Sequence, residues 1–456
     1  MEEPLLLGLP EEILEIIFTF AVHSQLYTTR NSKTRYQSAR ALSLTCWRIH
    51  SIALPLLYED PAVEGVGGGG RLMGFCRDMK TYQFCRTIRE NPARGLHCKY
   101  FALFLPPSND PNFPLAVATL THLPNLKSLL LKGQFRSQNI WQLIDLIVRK
   151  SSRLEEVDLE ARPYPMLLGH IYNHLGLPSG RKLTLHGLKF RGMIIPHEEI
   201  GWRYDSDAEP EQGLAGPPAV RPSITTGYKE LVLRHYRSSP SDLQDFLLWF
   251  TALEKFTFAK LADDRIGMWN LRTFLPALQP HRKTLKHILV TPRQSSDQFS
   301  GLVDRVHLNV SGFTALEHLQ IPMGSIACTP KTAVAELLAP NMKTLVLDLG
   351  CQVQCKHFWG AFSKDHIQWL LKVAKLANKE RPSFRRFELY FDPDPSDLDP
   401  SFFNSNTKSP WDLMDDARRI TEAYGIELVY NEPSLARHNF NKCLARELNM
   451  SQVGKQ

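Results

Sequence analysis

Apolar positions recur along this chain in two rhythms, one helical and one extended. Ile13, Leu14, Ile17, Phe18 and Ala21 follow the spacing of one broad helical face, so LPEEILEIIFTFAV predicts an amphipathic helix whose apolar side needs a cover. Pro10 suits the first helical position, and Glu11, Glu12 and Glu15 complement the positive helix start. From Ser24 to Tyr36 the chain is polar and basic with no apolar period, which predicts a loop. Ala39, Leu42, Leu44, Cys46, Ile49, Ile52, Ala53, Leu56 and Leu57 then suit two short helices packed on the first, with Pro55 marking a kink or boundary close to their end.

Further along, ten windows carry apolar residues at the first, fourth and sixth positions or nearly so. They start at Cys98, Leu126, Leu154, Tyr228, Leu253, Leu285, Leu316, Met342, Phe384 and Ala423, the last continuing through Ile426 and Leu428. Starts fall 25 to 32 residues apart, except for gaps of 74, 42 and 39. The longest gap has room for one more imperfect window around Leu183 and Leu185 and an inserted loop. Alternation of this kind predicts half-buried strands, while intervening stretches such as WQLIDLIVRK and SDLQDFLLWF have helical spacing.

Residues 203–223 and 392–400 are rich in Pro, Gly and acidic residues with little to bury, and are expected to be exposed insertions. The GVGGGG run after Asp60 predicts a surface loop. Gly65, Gly67 and Gly70 do fit a GxGxxG string, but no βαβ unit surrounds them and the phosphate-loop Lys-Ser/Thr pair is absent.

With 456 residues, 43% hydrophobic and 22% charged, the chain has the make-up of a folded protein of several domains or a repeat array. An acidic start and charge-interrupted apolar runs argue against a secretory signal and a membrane span, so a soluble protein of the cytoplasm and/or nucleus is expected. Eight scattered cysteines are read as reduced thiols. The formal charge of +7 comes without a long basic block, so nucleic acid is not an expected partner.

No local motif supports catalysis. Cys351, Cys355 and His357 lack a fourth zinc ligand nearby. His197-Glu198-Glu199 starts like a zinc-protease helix, but the second histidine would fall at Gly201. There is no GxSxG elbow and no kinase or Walker signature. No metal and no cofactor is expected.

The N-terminal residues do carry a resemblance. A Leu-Pro-x-Glu-Ile-Leu start (Leu9, Pro10, Glu12, Ile13, Leu14), then Ile17 and Phe18, then Leu42, Leu44, Cys46, Arg48, Ile52, Ala53 and a closing Leu57-Tyr58 make the first 60 residues resemble an F-box, particularly the fungal style ending in PLLY. The loop after the first helix is longer than the family's, and Ile49, with Trp47 nearby, replaces the customary aromatic. The window spacing, and THLPNLKSLLLKG in particular, resembles a leucine-rich repeat, although the asparagine that usually follows the strand is missing.

Together these resemblances imply an α+β chain: a small all-α F-box helical module over residues 1–60, then an irregular leucine-rich-repeat-like α/β solenoid over 61–456 with inserted loops near 203–223 and 392–400. They imply a non-catalytic substrate-recognition subunit of an SCF-type cullin-RING ubiquitin ligase. A Skp-type adaptor, and through it cullin and a RING subunit, would dock on Leu9, Pro10, Ile13, Leu14, Ile17, Phe18, Leu42, Cys46, Ile52 and Leu57, some of which must form the module's own core. The repeats would hold a protein substrate whose identity and contact residues the sequence does not specify. The alternative is a protein-interaction scaffold built on the same repeats without ubiquitin transfer. A helical hairpin of unrelated function and an ordinary α/β domain also satisfy the two patterns taken separately.

Overall fold

The computed structural model describes residues 8–23, 32–61, 79–175 (apart from 107, 109, 134, 136, 152 and 162–165), 189–195 (apart from 193), 227–234, 240–259, 271–291, 308–322, 328–348, 364–390, 410–431, 437–439, 441, 442 and 445. The chain is mixed helix and strand and divides into two compact units, Met1–Ile224 and Thr225–Gln456.

The first unit opens with three helices, α1 (Glu11–His23), α2 (Ser32–Ser43) and α3 (Trp47–Glu59). Pro10 stands one position earlier than expected: its carbonyl accepts the N–H groups of Ile13 and Leu14, so it caps α1 rather than opening it. The expected loop over Ser24–Tyr36 is also corrected, because α2 begins at Ser32. Lys, Arg, Gln and Ala form helix well whatever their polarity, so an absent apolar period does not exclude a helix there. Pro55 lies inside α3, which continues to Glu59. Burial of Ile52, Ala53 and Leu56 on either side of it offsets the lost N–H.

After α4 (Met79–Glu90) and a 3-10 turn over Pro92–His97, strands and helices alternate. The elements are β1 (Tyr100–Leu105), α5 (Phe113–Thr121), β2 (Ser128–Gly133), α6 (Gln138–Lys150), β3 (Glu156–Ala161), β4 (Met166–Leu167), α7 (Leu168–Leu175), β5 (Lys189–Gly192) and β6 (Ile194–Ile195). β1, β2, β3 and β5 pair in that order and in parallel, with positions 101, 129, 157 and 190 in register across the ladder. β4 and β6 form a separate two-stranded pair. Each of α4 to α7 packs on the helix before or after it, covering the buried strand positions.

The second unit repeats the plan with β7 (Glu230–Arg234), α8 (Pro240–Leu247), β8 (Lys255–Ala259), α9 (Leu271–Leu278), β9 (His287–Thr291), β10 (His318–Pro322), α10 (Pro330–Thr332, continued by a π-helical turn over Ala333–Leu337), β11 (Thr344–Asp348), α11 (Lys364–Glu380), β12 (Arg386–Tyr390), α12 (Pro410–Glu422) and β13 (Glu427–Tyr430). Its seven strands pair in sequence order and in parallel, aligning Leu231, Phe256, Ile288, Leu319, Leu345, Phe387 and Leu428. All seven are essentially solvent-free. Parallel neighbours require a crossover, and each helix supplies one while covering the apolar row.

A recurring backbone device sets this register. One carbonyl per strand accepts two N–H groups from the next: Lys99 from Lys127 and Ser128, Lys229 from Glu254 and Lys255, Glu254 from Lys286 and His287, Lys286 from Glu317 and His318. From Lys229 through Glu254, Lys286 and Glu317 to Lys343 the same positions alternate in charge. Lys229 and Lys286 both reach Glu254, at 2.6 and 2.7 Å, and Lys343 reaches Glu317 at 2.7 Å. The lysine hydrogen bonds hold both carboxyls below the usual carboxylate range.

Nine of the ten predicted windows contain a strand with the fourth and sixth residues inside it. The tenth is shifted by two: Leu428 pairs with Phe387 and Tyr430 with Leu389, so the window in register begins at Gly425, not Ala423. Gly425 has a φ of +70°, and Ile426 N–H bonds Thr421 C=O while Gly425 N–H bonds Glu422 C=O. That is a Schellman termination of α12, so Ala423 belongs to the helix end. In the long gap the strand is β5; Leu183 and Leu185 lie outside the described residues. Asparagines absent after the strands are found before them, where the amides of Asn125 and Asn341 donate to the Leu96 and Thr314 carbonyls of the preceding repeat.

Candidate docking surface

α1 is apolar on two adjoining faces, and the structure divides them. Leu14 and Phe18 are 0% and 2% exposed and form a core with Ala39 of α2 and Ile49, Ile52 and Leu56 of α3. Leu9, Leu42, Cys46 and Leu57 close the margin of that core, partly buried. On the other face Ile13, Ile16, Ile17 and Phe20 follow an i, i+3, i+4, i+7 stripe and remain exposed, Phe20 at 72%.

Two further large apolar side chains, Leu44 (75% exposed) and Trp47 (83%), flank the corner between α2 and α3. The corner itself is rigidly tied. Thr45 and Ser43 hydroxyls donate to the Leu42 and Arg40 carbonyls, and the His50 ring nitrogen Nδ1 hydrogen-bonds the Ser43 carbonyl at 2.8 Å. Trp47 stacks on His50 at 6.0 Å between ring centroids. The Arg48 guanidinium donates to the Leu9 carbonyl at 2.6 Å, fastening the start of α1 to α3.

The ten sequence-predicted docking residues therefore separate into groups. Leu14, Phe18 and Ile52 are core; Leu9, Leu42, Cys46 and Leu57 are the core's edge; Pro10, Ile13 and Ile17 face outward. Ile16, Phe20, Leu44 and Trp47 stand outside the sequence-predicted docking set. For Ile16 and Phe20 the signal was present in the i, i+3, i+4, i+7 recurrence that begins at Ile13.

Six of the twelve exposed large hydrophobics among the described residues thus lie between positions 13 and 47. Concentration of this kind marks an interaction surface rather than scattered surface apolarity. Full cover contributes roughly 1.5–3 kcal/mol per such side chain before the cost of association.

Among the described residues no group of three or more His, Cys, Asp or Glu is arranged to hold a metal ion, and no helix is long and apolar enough to cross a membrane. Cys98 is buried, and burial pushes its thiol far above the usual range, which makes it inert. The glycine run 65–70, His197–Glu199, Cys351, Cys355, His357 and the insertions 203–223 and 392–400 lie outside the described residues. Neither protein-family models nor curated proteins give a match to this chain.

Proposed function

We propose that this chain is a substrate-recognition subunit of an SCF-type ubiquitin ligase, with α1–α3 acting as an F-box and the strand ladders acting as an irregular leucine-rich-repeat solenoid. The observation that carries the proposal is the division of α1. Leu14 and Phe18 suffice for the module's own core, which leaves Ile13, Ile16, Ile17 and Phe20 for a partner. The F-box resemblance names that partner as a Skp-type adaptor.

The supporting features of the repeats are their parallel next-neighbour pairing and the buried fourth and sixth positions, repeated in both units. In the second unit the strand row of Glu230, Lys255, His287, His318, Thr344 and Arg386, polar and half-exposed, offers side chains on which a target can lie. The mechanism is proximity: a lysine-bearing target is held near a charged ubiquitin-conjugating enzyme, which raises its effective concentration with no bond chemistry in this chain.

Co-purification tests the proposal. The full chain and its Phe20→Glu variant are expressed with an affinity tag, and recovered proteins are identified by mass spectrometry. The expected result is a Skp-type adaptor and a cullin with the wild-type chain and neither with the variant. Their absence from both overturns it.

A further inference from the structure

His287 at the start of β9 and His318 at the start of β10 are register partners in adjacent parallel strands. Their ring centroids stand 5.6 Å apart with a 43° tilt. Both flank the buried Ile288 and Leu319 row, so both rings lie on the strand face opposite that row, half-buried. A metal–imidazole bond is about 2 Å long, and small side-chain rotations bring a nitrogen of each ring to one ion at this separation.

We propose that His287 and His318 chelate a divalent transition-metal ion of the copper, nickel and zinc class, with water filling the remaining coordination positions. The proposal stands independently of the ligase reading.

Ligation requires neutral imidazole. Burial, then the Lys255 charge, holds His287 below its ordinary value. Burial, then His287 itself, does the same for His318. Both rings therefore offer a lone pair at neutral pH. The nearest cations are compensated: Lys255 pairs with Glu230 at 3.2 Å and Lys286 with Glu254 at 2.7 Å. Glu317 and Glu388 add negative potential beside the pair. Among the described residues no third protein ligand completes a cluster, so the site is open and suits reversible loading rather than a closed structural role. Imidazole donors without thiolate or carboxylate favour copper over nickel and zinc, and all three over magnesium or calcium.

The test is calorimetric titration of the full chain with Cu²⁺ and Zn²⁺ at pH 7, using wild type, His287→Asn, His318→Asn and, as a control on another element, His122→Asn. The expected result is a tightest event with copper stronger than zinc, weakened roughly tenfold or more by either strand variant and unchanged in the control. Wild-type affinity in either strand variant overturns the proposal. Should a variant fail to fold, nitrogen hyperfine structure in the electron paramagnetic resonance of wild type with one equivalent of Cu²⁺ decides. Two coordinated nitrogens are expected; one or none overturns it.

Discussion

The carbonyl of Glu59, the last residue of α3, accepts the N–H of Lys99 at 2.9 Å, and the two side chains pair at 3.2 Å. Lys99 occupies the position whose equivalents, Lys127 and Glu155, bond the preceding strand. The end of the helical module therefore stands where a strand before β1 would be, and it caps the ladder's first edge. Tyr58 extends the junction, accepting a hydrogen bond from Arg94 at 3.0 Å and contacting Phe84, which in turn contacts Phe101.

Backbone rather than charge carries that junction. Lys99→Ala removes a half-exposed ion pair and is expected to cost less than about 1 kcal/mol. Lys99→Pro removes the donor and is expected to cost about 1–3 kcal/mol. Urea unfolding of both variants measures the difference; equal, small losses would contradict the capping role.

Phe18 and Phe20 lie two residues apart on α1 and have opposite surroundings. Phe18→Ala is expected to destabilise the chain by about 3–5 kcal/mol. Phe20→Ala is expected to stay within about 0.5 kcal/mol of wild type. Thermal melts of the two variants check the division of the helix faces.

Gly95 is required by space. A Cβ there would come 2.1 Å from the His122 carbonyl oxygen, whereas one at Gly312 would meet nothing within 4 Å. Gly95→Ala is expected to cost about 1–3 kcal/mol through backbone displacement. Gly312→Ala is expected to be neutral, or to stabilise by up to about 1 kcal/mol by restricting the unfolded chain.

His281 is buried, with its Nε2–H donating to the Leu247 carbonyl at 2.8 Å. Burial holds its pKa below the ordinary value, a shift the hydrogen bond only partly opposes. The unfolded chain thus takes up a proton before the folded chain does. The neutral ring's contribution is complete above the ordinary histidine range and declines as pH falls through it toward the folded value. Unfolding free energy is expected to drop between pH 7.5 and 5.5, with a shallower drop in His281→Gln.

Much of this arrangement was legible in the sequence, and the gaps have physical causes. Leu129 and Leu131, or Leu345 and Leu347, alternate with residues on the opposite face, so period two identified the strands before any pairing was known. The helix α1 was equally plain, yet its period could not separate Leu14 and Phe18 from Ile13 and Ile17, because which apolar face meets α2 and α3 is a tertiary outcome. The first turns of helix α2 escaped because Lys33 and Arg35 carry propensity without an apolar rhythm. The last strand was misregistered because α12 ends at a left-handed Gly425, and Ala423 still belongs to the helical pattern. The exposed pair Leu44 and Trp47 is visible only once the corner between α2 and α3 is placed.

The proposed docking of a Skp-type adaptor on the outward stripe of α1 is tested most directly by binding of the purified full chain to a purified adaptor. Saturable wild-type binding is expected, weakened roughly a hundredfold, or about 2.7 kcal/mol, by Phe20→Glu, with the melting temperature of the free chain unchanged. Absent wild-type binding, or equal binding by the folded variant, would contradict it.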